Sequence, residues 1–139
     1  MPMGSFQHNI DGKGRLFIPK KLRGSLGESF IVAKSIDGQP CLCVYTHEEW
    51  LELDEKIKQL PLVKAERVLR YKYNNASEME CDSQGRIILT KEQMNYAKLE
   101  DAAFITGVQR RVEIWNKAAY DAYEAAGAES ITDLLSEIM

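Results

Sequence analysis

The sequence is poor in the residues that most metal sites and disulfide frameworks require, since it has three cysteines and two histidines among 139 residues. Strong zinc patterns repeat a C-x-x-C unit or combine it with paired histidines, and this chain has neither arrangement. Cys41 and Cys43 would share one face of a strand, and with His8 and His47 they leave a metal site open as an alternative. Small, reduced cysteines packed in the interior are the favoured interpretation. We therefore expect no metal and no cofactor.

Long apolar stretches are also missing. No run of residues is long and apolar enough to cross a bilayer, and residues 1–5 lack the basic and apolar regions of a secretion signal. We expect a cytoplasmic protein without a membrane segment. The hydrophobic content of 45% and charged content of 28% are those of an ordinary globular protein.

The common catalytic motifs are absent: there is no G-x-S-x-G, Walker loop, H-E-x-x-H or G-x-G-x-x-G pattern. Gly12 and Gly14 imitate part of a phosphate loop, but no long helix follows them. A carboxylate dyad of Asp11 and Asp82 is the one catalytic alternative, because a symmetric duplication would bring both residues near one axis. Turn formation explains these aspartates better. We expect that the chain is not an enzyme and has no small-molecule substrate.

What the sequence does contain is an internal duplication. Residues 11–15, Asp-Gly-Lys-Gly-Arg, return 71 positions later as residues 82–86, Asp-Ser-Gln-Gly-Arg. The similarity continues beyond this pentapeptide, pairing residues 15–20 with 86–91 and residues 42–50 with 112–120. Units of roughly 45 residues are marginal alone, so the two copies are expected to share one core. The chain is interpreted as a fused pseudo-dimer.

Hydrophobic periodicity predicts the same order of elements in each half: strand, turn, strand, short helix and strand pair. Thr46 and Glu49 form a capping-box pattern that opens a further helix, which ends at Pro61. This order predicts a mainly β protein with flanking helices, an α+β fold. The predicted division is a first repeat at residues 5–47, a helical connection at 48–75, a second repeat at 76–119 and a C-terminal helical segment at 120–139.

The connection is predicted to contain a helix over residues 62–73, with Leu62, Ala65 and Leu69 pointing inward. The same helix carries basic and aromatic residues that are able to stack on nucleic-acid bases, although such stretches are more often solvated. These residues are Arg67, Arg70, Tyr71, Lys72 and Tyr73.

The net charge of −3 argues at first against a nucleic-acid partner, but the charge is unevenly distributed. Residues 1–23 carry a net charge of +4, whereas residues 113–139 carry −5. Local clusters decide which surface an anion meets, while the overall charge mainly affects solubility. A basic surface on an acidic protein is therefore compatible with DNA binding.

The arginine that ends each repeated turn needs a separate explanation. Asp accepts backbone N–H bonds and Gly supplies a positive φ, so these two residues account for the turn itself. Arg15 and Arg86 either pair with the turn aspartates or present a planar donor fork to phosphate or guanine. One arginine is able to fill both roles if its guanidinium remains partly free. The basic residues Lys13, Lys20, Lys21 and Arg23 cluster near Arg15 and favour an anion-binding patch. Arg110 and Arg111, in a hairpin loop, are weaker candidates.

The predicted residues fall into two groups. The DNA-binding candidates are Arg15, Arg86, Lys13, Lys20 and Lys21. The turn-structural candidates are Asp11, Gly14, Asp82 and Gly85. In the second copy Gln84 replaces Lys13 and Thr90 replaces Pro19, so its patch is less basic.

A duplicated unit of strand, D-x-x-G-R turn, strand and short helix resembles the SpoVT/AbrB family of swapped-hairpin DNA-binding proteins. The resemblance implies one intramolecular, pseudo-dimeric barrel made from two βαβ-type repeats. Two-repeat members with an opening like that of residues 3–19 are bacterial transcriptional regulators. The resemblance therefore implies binding to double-stranded DNA through repeated boxes, at the promoter of the division and cell-wall gene cluster. It also implies nucleoid association and a homo-oligomer, in the form of a ring.

Two other classes of function remain open at this point. The same pseudo-dimer is able to serve as an oligomeric scaffold that does not bind DNA. Alternatively, an antitoxin-like protein-binding module would use the C-terminal helices to dock a partner.

Overall fold

The computed structural model describes residues 1–127 and 129–139. The first half contains β1 (Met3–Asn9), β2 (Arg15–Phe17), α1 (Lys20–Leu26), β3 (Ser29–Lys34), β4 (Cys41–Tyr45) and α2 (His47–Ile57). Helix α3 (Leu62–Asn74) connects the halves. The second half contains β5 (Ala76–Glu80), β6 (Arg86–Ile88), α4 (Lys91–Tyr96), β7 (Ala102–Val108), β8 (Arg111–Trp115) and α5 (Lys117–Ala125), and α6 (Ile131–Ser136) follows.

The strands are arranged symmetrically about the β4–β8 pair. Six of them form an antiparallel sheet in the order β1-β7-β8-β4-β3-β5, and β2 pairs with β6 in a separate two-stranded ribbon. The first strand of each repeat pairs with the other repeat, because β1 lies beside β7 and β5 lies beside β3. This exchange is the swapped-hairpin arrangement, and it confirms the predicted α+β fold made of two repeats.

The six-stranded sheet is open, with β1 and β5 at its edges, so strand pairing does not close the barrel that the resemblance implies. One face of the sheet packs against the ribbon and the short helices α1 and α4. The pseudo-dimer is therefore closed over this face by side-chain packing and not by strand pairing. The shared core contains Leu16, Ile18, Ile87 and Leu89 from the ribbon region, and Phe30, Val32, Leu42, Val44, Ile105, Val112 and Ile114 from the sheet. The two halves therefore have one common core, as expected for units too small to be stable alone.

The other face of the sheet packs against the longer helices. Trp50 of α2 and Tyr120 of α5 contact a cluster in which Trp115 is buried. Cys41 and Cys43 lie in the same cluster as buried free thiols, which confirms that they share a face. Because both faces of the sheet are covered, every residue of the central strand β4 is buried.

The N-terminal caps of α4 and α2 differ. In α4 the box is complete: the Thr90 hydroxyl accepts from the Gln93 N–H at 3.0 Å, and the Gln93 side chain accepts from the Thr90 N–H at 3.0 Å. In α2 the Thr46 hydroxyl accepts from the Glu49 N–H at 3.1 Å, but the reciprocal bond is not made. The Glu49 carboxylate instead accepts from the Nε of Arg110 at 2.8 Å, so the predicted capping box is only half formed.

Helix α3 buries Ala65 as predicted and leaves Leu69 half-buried, but Leu62 does not point inward. Leu62 is 73% exposed, whereas Lys72 is 3% exposed and points toward α2. The Lys72 Nζ donates to the Asp54 carboxylate at 2.5 Å and to the Trp50 carbonyl at 2.6 Å, and it lies 3.6 Å from the centroid of the Trp50 ring. The Tyr73 hydroxyl donates to the same carboxylate at 2.5 Å.

These contacts hold α3 against α2 and engage Lys72 and Tyr73, two of the residues considered able to stack on bases. Burial lowers the pKa of Lys72, and the bond to Asp54 opposes that shift. Tyr71 is also engaged, because its hydroxyl donates to the Ser35 carbonyl at 2.9 Å. These contacts do not support the alternative in which Tyr71, Lys72 and Tyr73 present a base-stacking surface.

Replacing Lys72 by Met leaves the Asp54 carboxylate buried without its cation, and we expect a loss of about 3 to 5 kcal/mol in the free energy of unfolding. Lys64→Met on the exposed side of α3 is the matched control, with an expected change within about 0.5 kcal/mol. The double variant Lys72→Met/Asp54→Leu should recover much of the loss, because no unpaired charge remains. Urea denaturation measures the free energy of unfolding of all three variants. Equal stability of Lys72→Met and the wild type would contradict the assignment of a buried ion pair.

Candidate nucleic-acid interface

The two repeated turns have the same construction. In the first, one carboxylate oxygen of Asp11 accepts from the backbone N–H of Lys13 at 3.0 Å and of Arg15 at 2.9 Å. The other oxygen accepts from the Arg15 Nε at 2.5 Å. The Gly14 N–H donates to the Asp11 carbonyl at 3.0 Å, which closes a four-residue turn.

The second turn repeats each of these bonds. Asp82 accepts from the N–H of Gln84 and of Arg86, both at 2.9 Å, and from the Arg86 Nε at 2.9 Å. The Gly85 N–H donates to the Asp82 carbonyl at 3.0 Å. In both copies the aspartate thus accepts the backbone N–H bonds of its own turn.

These bonds keep both aspartates ionised. The backbone N–H of Arg15, helped by the Arg15 side chain and the Lys13 N–H, lowers the pKa of Asp11 from 3.8 to about 2. The Arg86 N–H lowers the pKa of Asp82 in the same way. A carboxylate dyad that shares a proton has one strongly raised pKa. Each carboxylate is bound within its own turn and both pKa values are lowered, so the geometry does not support the catalytic alternative for Asp11 and Asp82.

Gly14 and Gly85 have positive φ values of 79° and 81°, and each lies against the opposite repeat. A Cβ at position 14 would lie 2.7 Å from the Leu89 carbonyl oxygen. The turns are also joined across the repeats by hydrogen bonds, since the Leu89 N–H donates to the Gly14 carbonyl and the Ile18 N–H to the Gly85 carbonyl, both at 2.9 Å. Each turn is thus held in place by the other half of the chain.

The ribbon brings the two arginines together on one face. In its register Leu16 is opposite Ile87, and both are buried. Side chains alternate along a strand, so the residues on either side of this pair point outward. Arg15 and Arg86 are diagonal neighbours on the outward face, about 7–8 Å apart between backbones.

Both guanidinium groups remain partly available. The side chains of Arg15 and Arg86 are 32% and 29% exposed. Each uses its Nε for the turn aspartate, and among the described residues no other hydrogen bond is made by either guanidinium. The bond to the aspartate fixes the direction of the side chain, and the remaining N–H donors face solvent.

The predicted lysines all come from the first repeat. Lys13, Lys20 and Lys21 are exposed, and none of them forms a salt bridge in the part of the chain that the structure describes. Residues 11–21 carry a net charge of +3, whereas the equivalent residues 82–92 carry a net charge of zero.

Other sequence candidates lie outside this surface. Arg110 pairs with Glu49 and Glu52, and Arg111 pairs with Glu113 at 2.8 Å, so the hairpin arginines are engaged within the protein. Their proposed contact with DNA is not supported by the geometry.

The histidines and cysteines do not come together. His47 bonds to Ser29 at 2.9 Å, and His8 packs on Phe17 with ring centroids 5.1 Å apart. The donor atoms of Cys41, Cys43 and Glu113 lie within 4.8 Å of one another, but the Glu113 carboxylate already accepts from Arg111 and from the Trp115 indole. The metal site imagined from Cys41, Cys43 and the two histidines is therefore wrong.

Sequence reasoning missed the apolar part of the outward face. Phe17 and Ile88 occupy equivalent positions in the two repeats and lie beside the arginines, with Ile88 exposed and Phe17 half-buried. Their alternation with Leu16 and Ile87 is the signal that places them outward. None of the described helices is both long enough and apolar enough to cross a membrane.

Comparison with known proteins identifies relatives along nearly the whole chain. The family described as "MraZ protein, putative antitoxin-like" matches residues 1–70 and 73–137. A protein named Transcriptional regulator MraZ from Desulforamulus reducens is 45% identical over 97% of this chain and all of its own length. Proteins of the same name from Heliobacterium modesticaldum and Natranaerobius thermophilus are 42% and 41% identical, each over 100% of this chain and 97% of its own.

Substituting Ala for Gly14 should destabilise the protein by about 2 to 4 kcal/mol, because a Cβ meets the Leu89 carbonyl and the backbone is left-handed. Gly12→Ala is the matched control, since a Cβ there meets nothing within 4 Å. We expect it to change stability by no more than about 1 kcal/mol. Thermal or urea unfolding measures both variants. Equal effects at positions 12 and 14 would contradict the close packing of this turn on the second repeat.

The carboxyl group of Asp11 should titrate near pH 2 in a carbon-13 NMR experiment. In Arg15→Ala its pKa should rise but stay below 3.8, because the two backbone N–H donors remain. Since the folded pKa is below the unfolded one, the stabilisation from ionised Asp11 is complete above about pH 4 and is lost as the pH falls through 2. A midpoint at 3.8 in the wild type would refute the turn geometry.

Proposed function

The chain belongs to the MraZ family, and on that premise we propose that it is a transcriptional regulator that binds double-stranded DNA through the outward face of the β2–β6 ribbon. The observation that carries this proposal is the pair of arginines on that face. Each has its Nε bound to a turn aspartate, its side chain is 32% or 29% exposed, and its other donors make no hydrogen bond among the described residues.

The geometry suits DNA because the arginines are fixed before binding. A guanidinium presents parallel N–H donors that match two acceptors of guanine or two oxygens of a phosphate. An arginine that is already oriented loses less conformational entropy on binding than a free surface side chain. Arg15 and Arg86 thus form a preorganised, two-fold related pair, with the basic residues Lys13, Lys20 and Lys21 as further phosphate contacts.

We propose that a homo-oligomeric ring increases the affinity. One copy of the ribbon offers only a few phosphate contacts, and each contributes about −0.9 to the slope of log K against log salt. Linked sites gain roughly 10² to 10⁴ in avidity if repeated boxes in the DNA match their spacing. This is the mechanism by which a protein with a net charge of −3 would bind DNA tightly.

The proposed target is the promoter of the division and cell-wall gene cluster, through direct repeats, with the protein cytoplasmic and associated with the nucleoid. The division into repeats at residues 5–47 and 76–119, a helical connection at 48–75 and a C-terminal segment at 120–139 belongs to the same proposal. In this scheme each repeat supplies one turn to the DNA-binding surface.

A protein-binding module is the second candidate, and one observation favours it. The C-terminal helix α6 has no buried residue, and its apolar side chains Ile131, Leu134 and Leu135 are exposed. The family description also includes the words antitoxin-like. A module of this kind, or a scaffold that does not bind DNA, would leave promoter binding absent at low salt.

Arg15→Ala and Arg86→Ala should each weaken promoter binding by about 5- to 150-fold per site, which corresponds to about 1 to 3 kcal/mol for a guanine-directed arginine. In a ring the loss multiplies, so we expect binding to be abolished while the oligomer stays intact. Fluorescence anisotropy at fixed salt and light scattering measure the two properties.

Arg110→Ala is the matched control, because this arginine is exposed but paired with Glu49 and Glu52. It removes the same charge and should leave promoter affinity within about twofold of the wild type. Equal affinity of Arg15→Ala, Arg86→Ala and the wild type would exclude the ribbon face as the DNA-binding surface.

A further inference from the structure

We propose that Cys43 is a peroxide-reactive thiol and that Cys41 is its resolving partner, so that oxidation converts the pair into a disulfide. The two thiols belong to the cluster on the face of the sheet opposite the ribbon. The inference therefore goes beyond DNA binding and does not depend on it. It assigns a chemistry to two buried free thiols that the proposed DNA-binding surface does not use.

The two thiols are neighbours on the central strand β4. Residues 41 and 43 are two positions apart in the strand, so their side chains point to the same face of the sheet. Their Sγ atoms lie within 4.8 Å of each other, and the two residues are only 1% and 2% exposed. A local movement of the strand is therefore enough to bring the two sulfurs into bonding distance.

The surroundings of Cys43 favour its thiolate. The hydrogen bond with the Cys41 thiol lowers the pKa of Cys43 against the effect of burial, and the Arg111 guanidinium and the Tyr45 hydroxyl act in the same direction as that bond. Burial raises the pKa of Tyr45, so its hydroxyl keeps the proton that it donates. The bond to Cys43 and burial raise the pKa of Cys41, which therefore stays a thiol. The pair thus has one nucleophile and one partner that retains its proton.

A cavity of about 280 Å³ leads to Cys43. Tyr45 and Arg111 line it beside the thiol, and Arg110 lies on its wall. A water molecule occupies roughly 30 Å³ in the liquid, so the cavity has room for hydrogen peroxide. Cys41 is not among the described residues that line the cavity, so Cys43 is the first thiol that an entering oxidant meets.

Arg111 is placed to assist the reaction. Its Nε and Nη2 donate to one carboxylate oxygen of Glu113 at 3.1 and 2.8 Å. Its Nη1 makes no hydrogen bond in the part of the chain that the structure describes, and the side chain is 35% exposed. A fixed donor that points to the oxygen leaving the peroxide stabilises the negative charge that develops there.

The proposed oxidation has two steps, with hydrogen peroxide as the oxidant. The Cys43 thiolate attacks one peroxide oxygen, an S–O bond forms, the O–O bond breaks, and the departing hydroxide takes a proton from solvent to become water. Cys43 is then a sulfenic acid. The Cys41 sulfur attacks it, the S–S bond forms, and the S–O bond breaks. The sulfenic hydroxyl leaves with the proton of Cys41 as a second water.

The disulfide is expected to strain the centre of the sheet. Two residues separated by one position in an extended strand have Cα atoms roughly 6.4 to 6.8 Å apart. This distance is at the upper end of the usual range for a disulfide, about 4.4 to 6.8 Å. Because β4 lies between β3 and β8, bending it disturbs strands of both repeats. We expect the oxidised protein to unfold at a lower temperature than the reduced protein, and a reductant to restore the original value.

Peptide mass spectrometry of the wild type after treatment with hydrogen peroxide and alkylation of the remaining thiols identifies the reactive cysteine. Exposure alone predicts that Cys81 reacts first, since it is half-buried whereas Cys43 is 2% exposed. The proposal predicts the reverse order, because burial raises the pKa of Cys81. The peptide with Cys41 and Cys43 should lose two hydrogens before Cys81 changes. In Cys41→Ser, dimedone should trap a sulfenic acid on Cys43, and in Cys43→Ser, Cys41 should stay reduced.

Two arginines that line the same cavity provide a matched pair of variants. Arg111→Met should slow the oxidation of Cys43 by about tenfold, the change for a pKa rise of one unit, and Arg111→Lys should recover most of the rate. Arg110→Met should stay within about twofold of the wild type, because Arg110 pairs with Glu49 and Glu52. Thermal unfolding of the reduced variants checks that each is folded.

The inference is overturned if Cys43 stays reduced in the wild type, or if Cys81 is oxidised as fast as Cys43 or faster. Equal oxidation rates of Arg111→Met and Arg110→Met would also overturn the role of Arg111. These measurements are made without DNA, so their failure leaves the proposed function untouched. Absence of promoter binding by the reduced protein would in turn leave the thiol chemistry untouched.

Discussion

The interaction on which the candidate interface depends is the bond between each turn aspartate and the arginine four residues later. One carboxylate closes the turn through two backbone N–H groups and also holds the arginine Nε. Turn conformation and arginine direction are therefore set by the same group. Because the pKa of Asp11 is lowered to about 2, this carboxylate remains charged throughout the neutral range, and the arginine stays fixed there.

The exchange of strands between the repeats gives this local bond a larger consequence. A single turn would place one arginine on a small and unstable unit. Pairing of β2 with β6 instead places Arg15 and Arg86 side by side, and the buried Leu16 and Ile87 beneath them anchor the ribbon to the common core. The same exchange brings Arg23 of the first repeat over the second turn. The surface is thus a product of the pseudo-dimer and not of either repeat alone.

Much of this was predictable because the signals are local. The identical spacing of Asp, Gly and Arg in two copies predicts both turns, and alternation around Leu16 and Ile87 predicts which ribbon residues point outward. The helix of residues 62–73 was also predictable, but the burial of Lys72 within it was not. A lysine normally remains in water, and Lys72 is buried because Asp54 and the Trp50 carbonyl, from another helix, accept its hydrogen bonds. Likewise, Glu49 leaves its capping box for Arg110, 61 residues away.

The central claim is that DNA lies on the outward face of the ribbon, and side-chain NMR of nitrogen-15 arginine tests it most directly. On titration with a duplex that carries the promoter boxes, the Nε–H signals of Arg15 and Arg86 should shift, together with the backbone amides of residues 11–17 and 82–88. The Arg110 signal should stay in place, because its partners are Glu49 and Glu52. Shifts confined to α6, with the ribbon arginines unchanged, would contradict the account.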